Sequence, residues 1–172
     1  CFNIHTSLLP KYRGAAPVQY ALLNGDLKTG ISIQKMIKKM DAGDIAFSKE
    51  IEIHKKETSY ELFSRLSHIS AAATSDFLKL LSNNNIQYIT QNEQDASYAP
   101  TIKKEDGLID FQKDTFEIID RKIRAFDPWP GIFCFINDKR LKILEVTLEL
   151  KSTDPGVVNL EHNTLVIGCK SG

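Results

Sequence analysis

The sequence predicts an α/β chain whose last third turns largely to β structure. Three observations carry that prediction. Strand-like and helix-like segments alternate up to residue 89. A polar stretch, residues 90–106, interrupts them. Beyond Ile132 the apolar residues recur in short runs with the two-residue period of strands.

Phe2-Asn3-Ile4-His5 reads as the tail of a strand. Ala15 to Asn24 is a short helix, with Pro17 in the first turn, where no N–H is needed, and Gly25 as its stop. Ile31 to Ile37 is strand-like and runs toward an Asp41-Ala42-Gly43-Asp44 turn. Ile45 to Ile53 is the next strand, Ile51 and Ile53 alternating with Glu50 and Glu52. Thr58-Ser59-Tyr60-Glu61 is a capping box. It opens a long helix whose Leu62, Leu66, Ile69, Ala73, Phe77 and Leu80 recur at helical spacing along one face. Asn83-Asn84-Asn85 closes it.

The 90–106 stretch, with Gln91 to Asp95 and Lys103 to Asp106, reads as a linker laid over the surface. Asp114 then caps a helix carrying Phe116, Ile119, Ile123 and Phe126, and Pro128-Trp129-Pro130-Gly131 breaks it. Trp129 is expected to be a packing anchor. Asn137-Asp138 joins two strands, Val146, Leu148 and Leu150 alternate in a third, and two more lie near Gly156–Leu160 and Thr164–Cys169. About five short strands with one helix suggest a small, partly open barrel.

Lys+Arg and Asp+Glu are both 22 in 172 residues, so the formal net charge is zero. Bulk charge therefore gives no argument for nucleic acid, and any such contact needs a local patch. Lys11 and Arg13 are candidates for a phosphate, and Lys103, Lys104, Arg121, Lys122, Arg124, Lys139, Arg140 and Lys142 for a wider patch, although acidic residues lie among them. Three widely spaced cysteines without a C-x-x-C argue against a disulfide framework or a zinc site. No apolar run approaches the roughly 20 residues of a membrane span, so a reducing, cytoplasmic setting is the expectation.

Asn3, His5 and Asp41 carry the chemistry. Acyl transfer to an amine passes through a tetrahedral oxyanion and needs a donor aimed at that oxygen, a proton shuttle, and a group to orient the shuttle. Asn3 offers an N–H donor without charge. His5, two residues along a strand, projects from the same face. Asp41 is placed to orient the imidazole. Each motif alone is common; their order and spacing together are not. No metal-ligand spacing is present, and none is expected to be needed.

Asn3-Ile4-His5-Thr6-Ser7-Leu8-Leu9-Pro10-Lys11-Tyr12-Arg13-Gly14-Ala15-Ala16-Pro17 resembles the signature of the folate-dependent formyltransferases, and within them the branch that formylates methionyl-tRNA. Gly25-Asp26, Thr29-Gly30 and Met40-Asp41-Ala42-Gly43-Asp44-Ile45 fit the same pattern in order. Ser97-Tyr98-Ala99-Pro100, the stretch Lys103 to Phe111, and Ile123-Arg124-Ala125-Phe126-Asp127-Pro128-Trp129-Pro130-Gly131 resemble that family's linker and C-terminal domain.

The resemblance implies residues 1–89 as the C-terminal portion of a Rossmann-like catalytic domain with a parallel sheet, 90–106 as the linker, and 107–172 as an OB-like β-barrel domain truncated at its end. It implies 10-formyltetrahydrofolate as co-substrate and initiator methionyl-tRNA as acceptor, with no metal, no membrane and no obligate protein partner. Asn3, His5 and Asp41 fall on the family's catalytic positions. Ser7, Leu8, Leu9 and Pro10 fall on its folate-pocket loop, and Met40 lies in the turn that meets the pterin through its backbone.

Two departures stand out. The family's first strands and helices, with much of the folate pocket, have no counterpart ahead of Cys1, so the chain is expected to be a fragment with little activity alone. Thr6 stands where Pro or Gly is more usual. The competing expectations are a nucleotide-sugar formyltransferase and a non-catalytic tRNA-binding remnant.

Overall fold

The computed structural model of the chain describes residues 1–149, 153–162 and 164–170. They fall into two units, Cys1–Ile102 and Lys103–Gly172. The first contains β1 (Phe2–His5), β2 (Arg13–Gly14), α1 (Pro17–Leu23), β3 (Lys28–Lys35), β4 (Ile45–Glu52), α2 (Ser59–Ser82) and β5 (Tyr98–Ala99).

The sheet is ordered β1-β3-β4, and both ladders are antiparallel. This differs from the parallel sheet expected. The reason lies in chain length: only residues 36–44 separate β3 from β4, too few for the crossover of a dozen or more that parallel neighbours need. The parallel pairing of the unit is short, Arg13 with Tyr98 and Gly14 with Ala99.

Strand alternation gives this sheet two different faces. Ile4 pairs with Ile33, and Phe2, on that same face, meets Phe77 of α2 edge-on at 4.9 Å between ring centroids. Leu62, Leu66, Ala73 and Phe77 are the buried stripe of α2, as the helical spacing predicts, and the Thr58–Glu61 capping box is formed. The opposite face is polar. Asn3 pairs with Gln34 and His5 with Ser32. Yet His5 is only 6% exposed, Gln34 2% and Ser32 fully buried.

The cover is the loop after β1. Ser32 accepts from Leu9 N–H at 3.0 Å and donates to the Ser7 carbonyl at 2.8 Å. Gly30 is required by the close approach of β4, because a Cβ there would overlap the Lys49 carbonyl oxygen; Leu8 of the covering loop reaches the same spot. The 90–106 segment, expected at the surface, adds Gln91 and Ala99 to the interior. Helix α1 is slightly shorter than predicted, with Pro17 at its first position.

The second unit holds α3 (Phe116–Ala125), β6 (Ile132–Ile136), β7 (Lys139–Ile143), β8 (Val158–Glu161) and β9 (Thr164–Ile167). The cap of α3 is Thr115, which accepts from Ile118 N–H, and not Asp114. Asp114 instead accepts from Asp110 N–H and Lys122 Nζ. Asn137 and Asp138 both have positive φ, 48° and 62°, as a tight two-residue hairpin requires. Trp129, expected as an anchor, is 54% exposed.

Among the described residues β6–β7 and β8–β9 are separate two-stranded ladders, and no closed barrel forms. Val146 and Leu148 lie in a stretch without ladder bonds, while Leu150, Ser171 and Gly172 lie outside the described residues. A cavity of about 490 Å³ opens between α3, the stretch after β7, and β9, lined by Phe111, Phe116, Ile143, Val146 and Ile167 among others. Among the described residues no helix is long and apolar enough to cross a membrane.

Phe77 ties α2 to the strand that carries Asn3 and His5. Phe77→Ala is expected to destabilise the first unit by about 3–5 kcal/mol, read as a lowered midpoint in chemical denaturation. A loss below about 1 kcal/mol would mean that α2 does not hold β1.

Candidate active site

Three segments distant in sequence meet on the polar face of the sheet: β1, the Tyr12–Gly14 strand entry, and the turn after β3. His5 comes from β1. Its Nε2 lies 2.8 Å from the Tyr12 carbonyl. A carbonyl only accepts, so Nε2 carries the proton. Nδ1 is therefore the atom free for chemistry, and it faces Asp41 Oδ2 at 3.8 Å. That is too long for a hydrogen bond, and the contact becomes an ion pair only when Nδ1 also carries a proton.

Asp41 has a left-handed backbone, φ 52°, and its side chain is only 13% exposed. Its two oxygens have separate donors. Oδ2 accepts from Gly14 N–H at 2.9 Å, and Oδ1 from Gln34 Nε2 at 2.8 Å. Gln34 sits beside an irregularity in the β3–β4 ladder, where the register shifts between Ile33 and Gln34. Such a bulge re-aims a side chain locally. Asn3 is the cross-strand partner of Gln34, and side chains so paired lie about 4.5–5.5 Å apart at Cβ. Asn3 thus shares the face and the neighbourhood of His5 and Asp41 and is half-buried.

Tyr12 supplies the carbonyl that orients His5, from a left-handed conformation of its own, φ 61°. Its N–H donates to Ser97 Oγ and its hydroxyl to Asp26 Oδ2 at 2.7 Å, while Asn24 Nδ2 donates back to that hydroxyl. Burial, reinforced by Asp26 and opposed by the Asn24 bond, pushes the phenol up to about 12. It is a neutral donor over the whole physiological range.

Other positions fall differently from their sequence expectations. Ser7 is fully buried, with its hydroxyl donating to the Lys11 carbonyl at 2.6 Å; Leu9 is 7% exposed. Both hold the loop. Leu8 and Pro10 are half-buried, and Met40 is 63% exposed beside Met36 and Ile37. Lys11 is exposed, but Arg13 is fully buried and offers nothing to an external phosphate. It donates to Gln91 Oε1 through Nε and Nη2, and to Glu93 through Nη1. Lys39 also binds Glu93, at 2.6 Å. Hydrogen bonds from Lys39 and then Arg13 hold the Glu93 carboxyl below the usual range.

Gln34 and Gln91 are the site residues that pattern reading misses. Gln34 has one detectable signal, its place in the same strand phase as Ser32 and opposite Asn3. Among the described residues no group of three His, Cys, Asp or Glu could hold a metal.

Two outcomes follow. Gly14 has φ 121°, and a Cβ there would stand 2.6 Å from the Ala99 carbonyl oxygen, so Gly14→Ala is expected to detach β2 from β5 and lower the denaturation midpoint; an unchanged midpoint would contradict the packing. Tyr12 keeps its proton to about 12 against an ordinary value of 10.0. Its contribution is complete below the lower value and declines as pH rises through the interval. The wild-type midpoint should therefore fall more than that of Tyr12→Phe between about pH 8 and about pH 11; equal declines would contradict the burial of the phenol.

Comparison with known proteins identifies the family of the chain. The family model described as "Formyl transferase" matches residues 1–78, and "Formyl transferase, C-terminal domain" matches residues 101–172. A methionyl-tRNA formyltransferase of Thermotoga maritima is 45% identical over 160 residues, covering 92% of this chain and 51% of that protein. The chain thus spans about half the length of the curated relatives it matches. Among solved structures, an N-formyltransferase from Helicobacter canadensis in complex with folinic acid and dTDP-3-aminofucose has a TM-score of 0.76 at 23% identity, covering 98% of this chain and 62% of that one. HypX from Aquifex aeolicus in complex with tetrahydrofolic acid has a TM-score of 0.74 at 19% identity, covering 99% and 30%. These two likenesses concern the fold. With both of the family's domains matched in order along it, the chain belongs to the formyl transferase family.

Proposed function

We propose that the protein transfers a formyl group from 10-formyltetrahydrofolate to the α-amino group of methionyl initiator tRNA. The observation that carries this reading is the placement of His5 Nδ1 beside Asp41, with Asn3 on the same face. The 45% identity to a protein named methionyl-tRNA formyltransferase supports the choice of acceptor.

The roles follow from the donors and acceptors. His5 takes the amine proton at Nδ1, the nitrogen not engaged by the Tyr12 carbonyl. The proton arrives 3.8 Å from the Asp41 carboxylate, which stabilises the imidazolium. Asn3 donates to the oxyanion from a neutral side chain. 10-Formyltetrahydrofolate would supply the one-carbon acyl group; as the bond from that carbon to N10 breaks, the proton held on His5 passes to N10 and tetrahydrofolate leaves. The residues present fit such a ring system: half-buried Leu8 and Pro10 and exposed Met36, Ile37 and Met40 give apolar surface beside a polar cluster, as sites for flat heteroaromatic ligands do. Leu8, Pro10 and the Met40 turn would hold it, with Ser7 and Leu9 fixing the loop from inside.

Within the same reading, residues 1–89 are part of the catalytic domain and 107–172 part of an OB-like domain. The exposed Lys139, Arg140 and Lys142 of β7 offer the tRNA backbone a local positive patch despite the zero net charge. The protein works in the cytoplasm, or in an organelle matrix, where charged initiator tRNA is found.

The test is formyl transfer to charged initiator tRNA, run against an amino-sugar nucleotide as competing acceptor. Transfer to the tRNA should dominate. His5→Ala should cost roughly 10²–10⁴-fold in kcat and Asn3→Ala roughly 10²–10³-fold. Undiminished transfer by His5→Ala, or preference for the sugar nucleotide, would overturn the assignment.

A further inference from the structure

We propose that Gln91 is a positioning residue for Asp41, and that Arg13 fixes the amide orientation through which it acts. As to rate, the inference rests on the function proposed above; as to geometry, it stands alone.

A carboxamide has one donor end and one acceptor end, and which faces which way is set by its neighbours. At Gln91 the choice is forced. Arg13 aims two N–H groups at Oε1, at 3.1 and 2.8 Å, and a guanidinium has no acceptor to offer. The NH₂ end must therefore face the other way. There it meets two backbone carbonyls of the catalytic turn, Asp41 O at 2.9 Å and Gly43 O at 2.7 Å. Both N–H donors of Gln91 are thereby used on the turn that carries the carboxylate.

That turn needs holding. Asp41 has a left-handed φ of 52°, which Asp adopts more readily than most residues but which is uncommon outside glycine. Met36 to Met40, just before it, are all exposed. The grip is itself anchored: Arg13 is fully buried, and Glu93 binds both Arg13 and Lys39. β2, the turn and the start of the 91–99 segment are thus tied together through one amide. When that amide holds the turn, Asp41 Oδ2 stays on Gly14 N–H and 3.8 Å from His5. Gln91 and Arg13 are themselves buried, so neither side chain forms part of the surface offered to a substrate. Its loss should lower turnover and leave substrate affinity in place.

Gln91→Glu is the informative variant. It keeps the shape and the partnership with Arg13 but turns a carboxylate oxygen toward two carbonyls. Amide hydrogen exchange at Gly14 reports where Asp41 sits, and the amides of the β3–β4 ladder report whether the sheet is intact. We expect Gly14 exchange to rise about tenfold or more with the ladder unchanged. In the transfer assay kcat should fall about tenfold or more, with KM within about twofold. Asn92→Ala, on the same segment but with a side chain that, among the described residues, bonds to Gln94 and Asp95, should change none of these. Unchanged Gly14 exchange in Gln91→Glu would overturn the proposal. Faster exchange throughout the ladder, or a rise in KM alone, would overturn it in favour of a general structural or binding role. If the wild-type protein shows no transfer, the proposed function fails, while Gly14 exchange still decides the positioning.

Discussion

A carboxylate with only 13% of its side chain exposed must be given hydrogen-bond donors, and the site is built around supplying them to Asp41. One comes from a glycine N–H and one from a glutamine amide. Each imposes its own condition. The glycine must adopt φ 121° and pass close to the Ala99 carbonyl. The glutamine must sit on the polar face of β3, opposite Asn3, next to a shift in the ladder. With both oxygens held, the carboxylate stays 3.8 Å from the imidazole of His5.

The same constraint explains why the polar face of a sheet is buried at all. A loop from β1 covers it, fastened by Ser32 to Ser7 and Leu9, and the 91–99 segment closes over Arg13 and Gly14. Burying so many polar groups is stable only if each is satisfied, since a half-satisfied network is worse than an apolar one. Among the described residues the buried side-chain polar atom left without a partner is Arg65 Nε, which plays no part in this network. Low solvent access and fixed donors are also the conditions under which a nearby carboxylate most strongly stabilises a proton on an imidazole.

Much of this was legible in residue order. The capping box at Thr58 and the stripe from Leu62 to Phe77 are local signals, and they appear as read. His5 and Asp41 could be named as candidates from the order and spacing of their motifs, and the fold sets their side chains 3.8 Å apart. What escaped depends on partners far away in sequence. The pairing direction of the sheet is set by the length of a connection, not by the strands it joins. Asp114 and Thr115 are both acceptable caps, and only the demands of Asp110 and Lys122 decide between them. Arg13 looks like a solvent-facing charge until Gln91 and Glu93 are brought to it. Gln91 sits in a polar run with no period, so nothing local separates it from its exposed neighbours. In the C-terminal unit, alternation around Val146 and Leu148 was present without ladder bonds, which shows that pattern alone does not pair strands.

In the proposed reaction the imidazole and the carboxylate act as one unit. A double-mutant cycle with His5→Ala and Asp41→Asn, read in kcat/KM for formyl transfer, measures that directly. Residues that work as a unit are far from additive, so the double variant should be scarcely worse than His5→Ala alone. Losses that simply multiply would mean that the two groups act independently, and the site described here would not be the one that does the chemistry.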